Sequence, residues 1–72
     1  MREEEIQIHT DYIKLDAFLK FVGEAGTGGE AKIKIAEGGV TVNGEVCLQR
    51  GKKLHGGDKV ALDGKTFVLI QA

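Results

Sequence analysis

The chain has 72 residues, of which 42% are hydrophobic and 29% charged, and its formal net charge is −1. A chain below about 80 residues can build only one small core, so we expect a single domain over residues 1–72 and exclude an enzyme with a separate cofactor domain. No apolar run approaches the about 20 residues of a membrane-spanning helix, which excludes an integral membrane protein of that type.

The amino-terminal part predicts a short strand followed by a helix. Ile6 and Ile8 alternate with polar residues, which indicates an edge strand over residues 4–9. Four apolar residues then follow the i, i+3, i+4, i+7 spacing of one buried helical face: Leu15, Phe18, Leu19 and Val22. Gly23 is the expected end of this helix.

A second helix is predicted by a capping box, in which Thr27 is followed three residues later by Glu30. We expect this helix to begin at Thr27 and to end at about Glu37, before Gly38 and Gly39. Its apolar side is predicted to consist of Ala31, Ile33, Ile35 and Ala36.

The pattern changes to a period of two over residues 40–48, which indicates a hairpin. Asn43 and Gly44 are the residues preferred in a tight two-residue turn, because both tolerate positive backbone angles. The apolar residues predicted to oppose each other across this hairpin are Val40, Val42, Val46 and Leu48. We interpret Asn43 as mainly structural, since the turn alone explains it.

Two further strands are predicted over residues 59–62 and 66–70, separated by the tight turn Asp63-Gly64. The order of elements predicts an α+β fold, in which two helices pack on a small, mainly antiparallel twisted sheet.

Residues 26–31, GTGGEA, have the G-x-G-x-x-A spacing of a dinucleotide-binding fingerprint. That fingerprint needs a preceding strand and a parallel βαβ unit, whereas a helix precedes these residues and antiparallel hairpins follow them. Gly28 and Gly29 occupy instead the first turn of a helix, where free amides attract anions, and Lys32 lies one turn further on. The glycines therefore indicate either a phosphate site or close helix packing with a tight entry from Gly26.

The residues that could carry catalysis or bind a metal are few. The chain has no serine, Cys47 lies on a predicted strand, and His9 and His55 fall in separate elements without metal-ligand spacing. We expect no enzymatic activity, no cofactor, no metal and no small-molecule substrate. A single cysteine, and the absence of an apolar leader after Met1, lead us to expect a cytoplasmic protein.

The charges are distributed unevenly along the chain. Residues 3–5 are all glutamate, whereas residues 49–59 contain one acid, Asp58, and four cations: Arg50, Lys52, Lys53 and Lys59. Such a cluster is explained by a solvated face as readily as by contact with nucleic acid.

Four blocks of the sequence, IKLDAFLK, TGGEAKIKI, VTVNGE and RGKKLHGGD, resemble the S4 RNA-binding domain. The shared pattern comprises a Leu-Asp helix start, a Ser/Thr-capped second helix with an Ala-Arg/Lys pair, a Val-Asn-Gly turn and a later Gly-Asp. The match covers about residues 13–62. It is most similar to small stand-alone members of the YaaA/YbcJ type.

The resemblance implies an αL-like fold that binds RNA on a basic, helix-rich face. Many longer S4 proteins have an arginine directly after the helix cap, where this chain has Gly28. We therefore expect the exposed amides of Gly28 and Gly29 to substitute for that side chain. The complete predicted RNA-binding set is Lys14, Lys20, Thr27, Gly28, Gly29, Lys32, Arg50, Lys52 and Lys53.

The expected partner is structured RNA, ribosomal or transfer RNA, bound by a monomer. Recognition of shape is expected, because Phe18 belongs to the buried stripe and only Tyr12 and Phe21 are candidates for stacking on bases. The alternative is a protein-interaction or ribosome-associated adaptor without direct RNA contact, which docks through its sheet or its acidic amino end. The net charge of −1 favours this alternative.

Overall fold

The secondary structure comprises seven strands and two helices within residues 2–72, the part of the chain that this computed structural model describes. The strands are β1 (Arg2–Ile8), β2 (Ile13–Lys14), β3 (Thr41–Val42), β4 (Glu45–Val46), β5 (Lys53–Leu54), β6 (Lys59–Leu62) and β7 (Lys65–Gln71). The helices are α1 (Leu15–Phe21) and α2 (Gly28–Ala36). Neither helix is long and apolar enough to cross a membrane.

Five strands form one mixed sheet in the order β1-β7-β6-β3-β4, and β2 pairs with β5 in a separate two-stranded ladder. Strand β1 is parallel to β7, whereas all other pairs are antiparallel. The predicted α+β class with a mainly antiparallel sheet is confirmed. The first strand lies at the sheet edge, as expected, but begins at Arg2 rather than at residue 4.

The core lies between the two helices and one face of the sheet. Helix α1 contributes Leu15, Phe18 and Leu19, which are fully buried. Phe18 packs edge-to-face on Phe67 of β7, with their ring centroids 5.9 Å apart. The remaining buried apolar residues are Ile8, Ala25, Ala31, Ile35, Val40, Val42, Leu54, Val60, Leu62 and Leu69.

Both helices end as the sequence predicts. Gly23 and Gly38 follow α1 and α2 with positive φ values of 82° and 77°. After α1, the amides of Gly23 and Glu24 donate to the carbonyls of Lys20 and Leu19, which is the Schellman pattern. At the other end of α2, Thr27 is the N-cap and its side chain accepts a hydrogen bond from the Glu30 amide.

The predicted apolar side of α2 is too broad. Ala31 and Ile35 are buried, but Ile33 is 58% exposed and Ala36 is also exposed. Residues four apart share a helix face, whereas residues two apart point in nearly opposite directions. Ile33 therefore faces solvent because Ala31 and Ile35 face the core.

The hairpin turn is confirmed, since Asn43 and Gly44 have φ values of 53° and 87°. The predicted opposition of Val46 and Leu48 to the buried valines is wrong, because these residues are 59% and 64% exposed. Val46 pairs with Thr41, and directly paired residues point to the same side of a sheet. Val46 therefore lies on the face opposite to the buried valines of this hairpin, and Leu48 lies beyond the end of β4.

Candidate nucleic-acid interface

The basic loop after the hairpin packs against the beginning of α1. The amides of Leu15 and Asp16 donate to the carbonyls of Lys52 and Arg50, at 2.9 and 3.1 Å. In the short β2–β5 ladder, Lys14 is paired directly with Lys53. Two distant segments of the chain thus bring four cations together at the start of α1. We call them the loop cluster: Lys14, Arg50, Lys52 and Lys53.

The amino end of α2 is open. No described residue accepts a hydrogen bond from the amides of Gly28 and Gly29, and both residues are exposed. A Cβ atom at Gly28 would meet nothing within 4 Å, and one at Gly29 would meet only the Thr27 Oγ1 atom at 3.7 Å. Close helix packing therefore does not explain the two glycines, and their amides have no acceptor among the described residues.

Glu30 places a negative charge at this same helix end. Its carboxylate accepts a hydrogen bond from the Gly26 amide at 3.0 Å, in front of the helix. This contact replaces the usual return bond of a capping box to the N-cap amide. The negative charge of Glu30 lowers the attraction of this helix end for anions. The positive charge of the exposed Lys32, one turn further on, offsets that effect.

Lys20 and Lys32 are not joined to the loop cluster by a hydrogen bond or strand pairing among the described residues. Lys20 lies in the last turn of α1, which at seven residues is about 10 Å long. The Ala25 amide donates to the Leu19 carbonyl at 3.2 Å, so the connection folds back on this turn and α2 begins nearby. Within residues 2–72, no hydrogen bond or strand pairing joins the start of α2 to the loop cluster. Lys20 and the loop cluster therefore lie near opposite ends of α1.

The lysines divide sharply by whether an acidic side chain is near. Three are in ion pairs: Lys34 with Asp63 at 3.5 Å, Lys59 with Glu3 at 3.9 Å and Lys65 with Glu24 at 3.0 Å. The other described cations have no carboxylate within 4.0 Å, and they are Lys14, Lys20, Lys32, Arg50, Lys52 and Lys53. These six, all exposed, are the cations that the sequence predicts for the site.

Asn43 has a structural role that extends beyond its own turn. Its Oδ1 atom accepts from the Lys59 amide at 2.9 Å, and its Nδ2 atom donates to the Asp58 carboxylate at 3.1 Å. The interpretation of Asn43 as structural is therefore confirmed. The sequence contained no signal that the Val-Asn-Gly turn and the Gly-Asp turn are bonded to each other.

Possible metal ligands and the cysteine thiol are the other groups of interest within residues 2–72. No group of three or more His, Cys, Asp and Glu side chains there could hold a metal ion. Cys47 is half-buried and its thiol donates to the Gln49 carbonyl at 3.6 Å.

One feature that sequence reasoning undervalued is Tyr12. The Lys53 Nζ atom lies 4.8 Å from the centroid of the Tyr12 ring, so this aromatic side chain adjoins the loop cluster. Its position two residues before Lys14 was the available signal.

Similarity to known proteins supports the resemblance noted above. The S4 domain family model matches residues 6–70. The chain belongs to the S4 domain family. The probable ribosome maturation protein RlbA of Bacillus subtilis (strain 168) is 42% identical over 59 residues, which cover 82% of this chain and 83% of RlbA.

A solved S4 structure matches over almost the whole chain. The solution structure of YbcJ from E. coli, described as revealing an αL motif involved in RNA binding, is 31% identical with a TM-score of 0.64. The match covers 97% of this chain and 87% of YbcJ. The prediction of an αL-like S4 fold is therefore confirmed, and the RNA-contacting residues remain a prediction.

Proposed function

We propose that this S4 domain binds structured RNA, ribosomal or transfer RNA, as a non-catalytic monomer. The observation that carries the proposal is that six exposed cations have no acidic partner, although the chain has more acidic than basic residues. Two similar proteins support the proposal: RlbA is named as a probable ribosome maturation protein, and the YbcJ structure is described as revealing an αL motif involved in RNA binding.

The proposed contacts are with phosphate oxygens rather than with base edges. The loop cluster would hold one stretch of the RNA backbone. Lys32 and the amides of Gly28 and Gly29 would hold another stretch, and Lys20, at the end of α1, would add a further phosphate contact. An unpaired surface cation binds phosphate without first breaking an ion pair, and each contact releases counterions from the RNA. With about four phosphates neutralised, affinity should fall with salt at a log-log slope of about −3.

Lys32 and Lys34 provide the sharpest test of the proposal, because they lie two residues apart on α2 and differ in pairing. We expect Lys32→Gln to weaken binding to a structured RNA and to reduce the salt slope by about 0.7–0.9, the effect of one lost phosphate. Lys34→Gln removes the same charge, but from a lysine paired with Asp63, and should leave the slope unchanged.

The measurement is a titration of a fluorescently labelled ribosomal RNA fragment at several salt concentrations. Wild-type binding that is weak and insensitive to salt would contradict the proposal and favour the adaptor alternative. Equal slopes for Lys32→Gln and wild type would remove the α2 end from the site.

A further inference from the structure

Tyr12 is an exposed aromatic residue with no structural role in the core. It is 39% exposed and lies in the connection between β1 and β2, outside the buried cluster. Its hydroxyl group makes no hydrogen bond to a described residue, whereas its backbone carbonyl accepts from Thr10 Oγ1 at 2.7 Å. The backbone is thus held in place, whereas the partly exposed ring has no hydrogen-bonded partner among the described residues.

The surroundings of the ring are cationic and partly aromatic. The ammonium group of Lys53 lies over the ring at 4.8 Å from its centroid. The His55 ring is 6.3 Å away at an angle of 46°. Lys53 lies directly opposite Lys14 in the β2–β5 ladder. Two cations of the loop cluster, neither of them in an ion pair, therefore adjoin Tyr12.

An open groove of about 530 Å³ lies beside Tyr12. Ile13 and Ala17 contribute apolar lining, and Lys14 lines it as a cation. Asp11 is the one carboxylate in the lining, and Thr10 completes it. A flat ring, an apolar wall and neighbouring cations are the features of a surface on which an unpaired base stacks while its phosphates are held.

We propose that Tyr12 stacks on an unpaired nucleobase of the bound RNA, with Lys14 and Lys53 on the flanking phosphates. This rests on the proposed function and narrows its ligand to a structured RNA that carries an unpaired nucleotide. It also replaces the expectation that shape alone is recognised. Lys53 leaves the ring for a phosphate when the base arrives.

The test uses two RNA hairpins that are identical except that one adenosine in the stem is unpaired in the first and paired with uridine in the second. We expect Tyr12→Ala to weaken binding of the bulged hairpin about tenfold or more, the usual effect of losing a stacked base. Binding of the fully paired hairpin should change less than about twofold, because phosphate contacts remain. Tyr12→Phe, which retains the ring, should bind both hairpins as the wild type does.

A direct readout comes from the fact that the chain contains one tyrosine. Incorporation of 3-fluorotyrosine gives a single fluorine resonance, which should shift with the bulged hairpin and stay in place with the paired one. The inference is overturned if both hairpins bind in a salt-dependent way, Tyr12→Ala affects them equally and the resonance does not move. If wild type binds neither hairpin with salt dependence, the proposed function itself fails.

Discussion

Replacement of Arg50, Lys52 and Lys53 together by glutamine is expected to weaken binding to structured RNA by about 10- to 100-fold at low salt. These residues carry three of the four charges of the loop cluster, and none has an acidic partner. Their side chains are exposed, and the hydrogen bonds that hold the loop to α1 use the carbonyls of Arg50 and Lys52. The fold should therefore survive, and RNA affinity measured by fluorescence anisotropy should fall.

The matched control is the triple variant Lys34→Gln, Lys59→Gln, Lys65→Gln. It removes the same three charges, but from lysines that are already paired with Asp63, Glu3 and Glu24. The exposed ion pairs of Lys34 and Lys59 contribute about 0–1 kcal/mol each. The Glu24 side chain is only 13% exposed, so loss of Lys65 costs more, and circular dichroism checks that the control is folded. Equal losses of affinity in both triple variants would mean that only net charge matters, and the loop cluster would then have no special role.

Phe18→Ala is expected to destabilise the fold by about 3–5 kcal/mol. Phe18 is fully buried and packs on Phe67, so its removal leaves a cavity between α1 and the sheet. A chain of 72 residues has a total stability of about 4–11 kcal/mol, and this substitution removes a large share of it. Urea unfolding followed by circular dichroism at 25 °C measures the change.

Phe21→Ala serves as the control for this prediction. It makes the same substitution on the same helix, but Phe21 is 63% exposed. We expect a change in the free energy of unfolding of less than about 1 kcal/mol. Similar losses for the two variants would contradict the assignment of Phe18, rather than Phe21, to the core.

Local patterns predicted the elements well because the relevant contacts are close in sequence. The Thr27 cap, the glycines after both helices and the Asn43-Gly44 turn each depend on backbone geometry within a few residues. The wrong predictions for Val46 and Ile33 also have local explanations. The two-residue turn itself implies that Val46 pairs with Thr41, and the helical period implies that Ile33 opposes Ala31.

Long-range features could not be predicted from such patterns. The parallel pairing of β1 with β7 joins the two ends of the chain. The contact of the basic loop with the start of α1 depends on backbone bonds from Leu15 and Asp16, which carry no signature in the sequence. Likewise, only the fold brings Glu24 to Lys65. Ion pairs of this kind distinguish the lysines that already have an acidic partner from those that have none.

The most direct test of the proposed interface is NMR titration of the ¹⁵N-labelled wild-type protein with a structured RNA at low salt. We expect the largest amide shifts on Gly28, Gly29 and residues 50–53, with smaller shifts around the paired Lys34 and Lys59. Other glycines, such as Gly64 in the β6–β7 turn, provide internal controls in the same spectral region. Large shifts confined to the paired lysines, with Gly28, Gly29 and the basic loop unchanged, would mean that RNA does not bind at the proposed interface.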